Sequence, residues 1–220
     1  MSTRCAIAVF AVFAVRLSLL ALSGPAVVLA QGTGPRFELT PFAGYRIGGE
    51  FDELDSDGRF ETAESQSEGL IFDIRQRADA QWEILYAHQS TQLFSDQGFP
   101  PTGSGLDLDV DYLHFGGTVL FAEGDVRPFV AMTVGLTRFE PHEPLYRAES
   151  YFSASIGGGV QLRADRRVGI RLEGRVYASL IDDDGGIFCG SVGGAGFCAV
   201  RIDGKALYQW EARAGLVFRF

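Results

Sequence analysis

The stretch that decides the fold is LYQWEARAGLVFRF, residues 207–220. Taken by twos it reads Tyr208, Trp210, Ala212, Ala214, Leu216, Phe218 and Phe220, with Gln209, Glu211, Arg213, Gly215, Val217 and Arg219 between them. Successive side chains of a strand point to opposite faces. One face of this segment is therefore apolar with aromatics at both ends, and the other is largely polar. Such a strand separates two unlike solvents.

Seven earlier segments repeat the alternation, at 36–48, 67–75, 81–91, 106–121, 127–139, 151–162 and 167–180, and no stretch beyond residue 30 carries a convincing helical stripe. In the first, Phe37, Leu39, Pro41, Ala43, Tyr45 and Ile47 oppose Glu38, Thr40, Phe42, Gly44 and Arg46. In the 167–180 segment, Val168, Ile170, Leu172, Val176 and Ala178 oppose Arg171, Glu173, Arg175 and Tyr177. The connectors QRADA, AEGDVR and RADR are short, and the alternate ones are long, acidic or glycine-rich. Tight turns at one end and long loops at the other fit an eight-stranded antiparallel up-and-down barrel with both termini on the tight-turn side.

The first thirty residues differ. Arg4 precedes the apolar run CAIAVFAVFAV, Arg16 interrupts it, and Val28, Leu29 and Ala30 end it. This is the pattern of a cleaved signal peptide over 1–30, leaving 31–220 as the barrel domain. Its loss removes two arginines and no carboxylate, so 17 basic and 28 acidic residues remain, a net of −11 against −9 for the whole chain. Lys205 is the one lysine. That balance gives nucleic acid no electrostatic footprint. Cys5 leaves with the signal, and Cys189 and Cys198 are expected to form a disulfide in an oxidising compartment.

Parity separates a membrane barrel from a soluble one. A soluble barrel hides its apolar face inside. Here the polar row suits pairing inside a narrow lumen, and the aromatics stand at the ends of the apolar row, where membrane interfaces place them. A closed sheet also leaves no backbone group unpaired in lipid. With AGLVFRF at 214–220, PFAGYRIGG at 41–49 and this strand number, residues 31–220 resemble the small eight-stranded outer-membrane proteins of Gram-negative bacteria, similar to outer membrane protein W, the opacity proteins and the barrel of outer membrane protein A. The resemblance implies a transmembrane, porin-like architecture in the outer membrane with both termini periplasmic, in contact with lipid and lipopolysaccharide. It also implies reading of the terminal strand by the barrel-insertion machinery, with Phe220 as the signal. Tyr208, Trp210 and Phe218 would form the aromatic belt, and a monomer is expected.

Glu38, Arg46, Asp73, Arg75, Glu83, Arg171, Glu173, Arg175, Glu211, Arg213 and Arg219 fall on the polar row and are expected to interdigitate as a charge network. Segment 106–121 has two competing phases: Val110 and Tyr112 toward lipid would carry His114 there too. Placing Phe115, Val119 and Phe121 toward lipid sends His114 inward, and this is the reading adopted, with a bulge to reconcile the phases. His88 and Ser90 share the outward face of 81–91, and pairing through the QRADA turn brings Glu68 alongside. A serine, a base and a carboxylate are the parts of an acyl-transfer site. Lipid A deacylases carry a similar pair, but on their last two strands, so these are read as rim residues. ELDSDGRFETAE, 53–64, follows a calcium-loop pattern without Asp at its first position or flanking helices, and DDD at 182–184 is a weaker acidic signal. No cofactor, metal site or catalysis is expected. The expected role is structural or surface-interacting, displaying acidic loops; the alternatives are a narrow passive channel for small, hydrophobic solutes and a lipid A-modifying hydrolase.

Overall fold

The computed structural model describes residues 36–52, 59–95, 105–143, 146–163, 167–181, 186–192, 195–201 and 206–220. Its strands are β1 (Phe37–Gly48), β2 (Glu50–Asp52), β3 (Arg59–Thr62), β4 (Ser65–Arg75), β5 (Ala80–Ser95), β6 (Leu106–Leu120), β7 (Val126–Pro141), β8 (Glu149–Arg163), β9 (Val168–Leu180), β10 (Gly186–Val192), β11 (Ala195–Arg201) and β12 (Ala206–Arg219). Eight of them, β1, β4, β5, β6, β7, β8, β9 and β12, pair antiparallel in that order, and β12 closes on β1. These are the eight alternating segments of the sequence. The two short hairpins were not anticipated. β2–β3 folds onto the C-terminal end of β5, with Thr62 opposite Leu93, and β10–β11 sets the backbones of Cys189 and Cys198 opposite one another.

The register fixes the tilt. From Ala43 a cross-strand row runs through Glu68, His88 and Asp111 to Arg138 on β7. In the other direction it runs through Ala214, Leu172 and Val160 to Pro128, again on β7. The row returns to β7 ten residues from where it met it, the difference between Arg138 and Pro128. Ten residues rise about 33 Å, and eight strand spacings span about 38 Å, so the strands tilt by about 40°.

Facing follows the expected alternation. Trp210 and Phe218 are 58% and 41% exposed, whereas Glu211 and Arg213 are 3% and 5%. Met132, Val134, Leu136, Phe152, Ile156, Ile170 and Leu172 continue the exposed apolar band around the barrel. No bulge is needed in β6. Its pairing with β5 is continuous from Val119 opposite Ala80 to Leu106 opposite Leu93. Leu113, Phe115, Val119 and Phe121 face out, while His114, Tyr112, Val110, Leu108 and Leu106 face in. The polarity of the two faces, not the register, changes along the strand. Above Leu113 the outward row becomes Asp111, Asp109 and Asp107, and the inward row becomes aliphatic. Leu93, Leu106, Leu108, Val110, Phe139, Ile181 and Leu207 form an apolar cap over the mouth of the lumen at the long-connector end.

Candidate functional site

Below the cap, the inward row of each strand delivers polar side chains to the axis. Glu83 on β5 accepts from Arg171 at 2.8 Å, Arg175 at 2.6 Å and Thr118 at 2.6 Å. Glu173 on β9 accepts from Arg171 at 2.8 Å and from Arg175 and Arg213 at 2.7 Å each. Asp73 meets Arg171 at 3.3 Å. One level higher, Glu211 binds Arg46 at 3.1 Å, Arg213 at 3.5 Å and the Tyr177 hydroxyl at 2.7 Å. Arg46 also donates to Gln89 at 3.2 Å, and its guanidinium lies over the rings of Tyr112 and Tyr177. These ion pairs join Arg46, Arg171, Arg175 and Arg213 to Asp73, Glu83, Glu173 and Glu211, so four cations face four anions. A connected, neutral set offsets the desolvation that each isolated charge would suffer.

The end of the lumen beside the short connectors has its own pair. Arg219 donates to Glu38 at 3.1 Å, and Gln161 binds the other oxygen at 2.7 Å. Arg75 points inward there and is half-buried. His114 sits inside among Thr133 at 3.0 Å and Ser153 at 2.8 Å. Tyr112, Gln209 and Gln89 complete the upper layer; the Tyr112 hydroxyl donates to Gln209 at 2.7 Å. The sequence reading named the charges but not this neutral hydrogen-bonding shell, which the inward parity of each strand would have supplied.

Small residues make the room. A Cβ on Gly157 would collide with Glu173 Oε1 and stand 3.0 Å from Arg175 Nε. Glycine there lets the carboxylate and guanidinium lie against the wall. Arg175 and Glu173 on the neighbouring β9 therefore pair with glycines on β8, Gly157 and Gly159.

Outside the barrel, on β5, His88 Nδ1 lies 2.9 Å from Asp111 Oδ1 and His88 Nε2 lies 3.3 Å from Ser90 Oγ. Tyr86 donates to the same Asp111 oxygen at 2.8 Å, and Ser90 donates to Asp109 at 2.7 Å. Glu68 stands opposite His88 in register, as the sequence indicated, but the histidine's hydrogen bond goes to Asp111 on the other neighbour. The D-x-D-x-D alternation at 107–111 was the signal for that partner. His142 Nε2 meets Asp109 at 2.9 Å at the outer end. Hydrogen bonding to Asp109 raises His142 above the ordinary 6.5. Burial pushes Asp109 up, but hydrogen bonds from His142 and Ser90 outweigh it and hold the carboxyl below 3.8.

Tyr208, Trp210, Phe218 and Phe220 all face outward. The Phe37 ring packs against that of Phe220, 6.1 Å between centroids. Residues 53–58 of the calcium-like loop and the run at 182–184 lie outside the described residues, as do 1–35. Among the described residues no group of three or more His, Cys, Asp or Glu is arranged to hold a metal ion.

No protein-family model matches this chain, and no curated protein matches it by sequence. Solved structures do. The crystal structure of Neisserial surface protein A is 13% identical, spans 84% of this chain and 97% of that one, and superposes with a TM-score of 0.56. The outer membrane protein OprG from Pseudomonas aeruginosa gives 10% identity, coverage of 85% and 96%, and a TM-score of 0.60. The outer membrane protein AlkL, solved in lipid bilayers, gives 8%, coverage of 85% and 91%, and 0.52. At such identities the likeness is one of fold. With its closed sheet, apolar outer band and charged interior, the chain has the fold of the small eight-stranded outer-membrane barrels.

Proposed function

We propose that this protein is a sealed outer-membrane barrel with a structural and surface-presenting role. The observation that carries this reading is the neutral set of four arginines and four carboxylates across the lumen, lying beneath the apolar cap. Eight strands enclose about enough space for side chains alone, and here ion pairs fill it. Ions crossing such a lumen must break hydrogen-bonded pairs already shielded from water.

In this reading residues 1–30 are a cleaved export signal and both termini are periplasmic, since the short connectors lie beside them. Phe220 ends the strand read by the insertion machinery, and the apolar band contacts lipid while the acidic outer loops meet lipopolysaccharide. The chain works as a monomer. Cys189 and Cys198 face each other across β10 and β11, which supports a disulfide pinning the fourth outer loop. Purified protein in planar bilayers should show no steady conductance. Open-channel current in the wild type, at neutral pH and without denaturant, would favour the passive-channel alternative and refute the sealed lumen.

A further inference from the structure

The outer face of β5 and β6 carries an arrangement that a sealed stave does not require. Ser90 Oγ, His88 Nε2, His88 Nδ1 and Asp111 Oδ1 follow one another at 3.3 Å and 2.9 Å, with the imidazole between hydroxyl and carboxylate. Tyr86 fixes that carboxylate at 2.8 Å, and Asp109 holds the Ser90 hydroxyl at 2.7 Å. Glu68 flanks the imidazole from β4. A serine, a base within reach and a third group orienting the base are what nucleophilic acyl transfer needs.

The site opens into an outer furrow of about 830 Å³ whose lining includes His88, Ser90, Gln66, Ala43, Ala212 and Ala214. Its position matters. With the strands tilted by about 40°, His88 lies about 6 Å and Ser90 about 11 Å above Ala43 along the axis, while Ala212 and Ala214 stay within about 3 Å of Ala43's height. His88 and Ser90 thus stand level with the exposed rings of Tyr45, Trp210 and Tyr208, and the alanines lie in the apolar band beneath. Polar machinery at interface height, over a small-residue trough at hydrocarbon depth, matches a lipid ester with its acyl chain below.

We propose that this face hydrolyses an acyl ester of an outer-leaflet lipid, with Ser90 as nucleophile, His88 as general base and Asp111 as the residue positioning His88. The Ser90 hydroxyl turns from Asp109 to His88, and Oγ attacks the ester carbonyl carbon as its proton passes to Nε2. Gln66, in the same wall, offers its amide to the oxyanion. Collapse breaks the acyl–oxygen bond, and the departing alkoxide takes the proton from His88. Water, deprotonated by the same nitrogen, then cleaves the acyl-Ser90 ester and releases a fatty acid. One ester and one water give one acid and one alcohol.

The site rests on the membrane placement proposed above but not on a sealed lumen, so conductance and acyl release fail separately. The test uses the full barrel in detergent micelles, incubated in parallel with diacylphosphatidylcholine and with lipopolysaccharide, and free fatty acid is read by mass spectrometry. A fluorophosphonate probe reports labelling of Ser90. The expected result is fatty acid from one lipid or both, which assigns the source, with Ser90 labelled. Ser90→Ala and His88→Asn should each lower release at least about 100-fold while keeping heat-modifiable gel mobility. Asp111→Asn should lower kcat at least about tenfold with KM little changed, and Asp111→Glu should restore part of it. Should a variant fail to fold, labelling of the wild type at Ser90 decides. Release from neither lipid, no labelling at Ser90, or release that survives Ser90→Ala would overturn the proposal.

Discussion

Glu173→Gln is the sharpest probe of the lumen. The substitution keeps the shape but removes one negative charge at the point where three guanidinium groups converge at 2.7–2.8 Å. Arg171 retains Asp73 and Glu83, and Arg175 retains Glu83. Arg213 loses most, because its other acidic contact, Glu211, stands at 3.5 Å. Four cations then face three anions, and the new amide N–H group points at donors. Breaking one side of a buried ion-paired set costs about 3–5 kcal/mol. Glu38→Gln, which disturbs one arginine at the mouth beside the short connectors, should cost about 1–3 kcal/mol. The assay is reversible urea unfolding in lipid vesicles, followed by tryptophan fluorescence. Adding Arg213→Leu to Glu173→Gln restores charge balance and should recover at least about 1 kcal/mol, a coupling a double-mutant cycle resolves. A loss below about 0.5 kcal/mol for Glu173→Gln, with strictly additive behaviour in the double variant, would refute the view that charge pairing rather than packing holds the lumen together.

Gly157→Ala adds a methyl that collides with Glu173 Oε1, so it should destabilise the barrel by about 1–3 kcal/mol in the same titration, without changing any charge. Met132→Arg places a cation on the outward band at a residue 63% exposed, and should cost about 2–4 kcal/mol in vesicles. His142 should titrate by NMR with a midpoint above 6.5 that falls when Asp109 becomes Asn. The raised His142 value means its contribution to stability is complete below 6.5 and is lost as pH rises through the folded midpoint; the depressed Asp109 value means its share is present above 3.8 and is lost on acidification. Their tether on the loop after β7 is therefore firmest in mildly acid solution. Oxidised protein should carry a Cys189–Cys198 link; closing that ten-residue loop is worth about 2.7 kcal/mol in the chain-entropy account, and Cys189→Ser should speed proteolysis within the β10–β11 hairpin while leaving the eight-stranded sheet intact.

The β12 pattern could be read without coordinates because one rule governs its whole membrane-crossing length: lipid on one side, a filled polar lumen on the other. Segment 106–121 resisted the same reading for a physical reason. At Tyr112 and Leu113 the strand leaves the bilayer, and both faces change solvent within one residue pair. Outside, lipid gives way to water, so Leu113 is followed upward by Asp111, Asp109 and Asp107. Inside, the polar lumen gives way to the dry cap, so His114 and Tyr112 are followed by Val110, Leu108 and Leu106. Two apolar rows of opposite parity then look like a register slip, and a bulge is the natural but wrong repair. The lumen charges were readable one by one from parity, whereas their pairing was not: Glu83 and Arg175 are 92 residues apart, and only the stagger of the closed sheet brings them together.

The same inversion bears on the outer face. Where a strand emerges from lipid, its outward row has no packing partner and is free to vary with any soluble residue. On β4, β5 and β6 it instead pairs Glu68, His88 and Asp111 in one cross-strand row, beginning below the level of Trp210 on β12. Glu68 and His88, the lower members of that row, displace lipid contact, and polar side chains at membrane depth are costly unless a function retains them. If they serve only to mark the boundary, replacing Glu68, His88 and Asp111 together by Leu, Val and Leu should stabilise the barrel in vesicles by extending the apolar band. If they serve chemistry, the same variant gains stability and loses acyl release, and that opposed pair of outcomes is the signature of a site maintained against the preference of the bilayer.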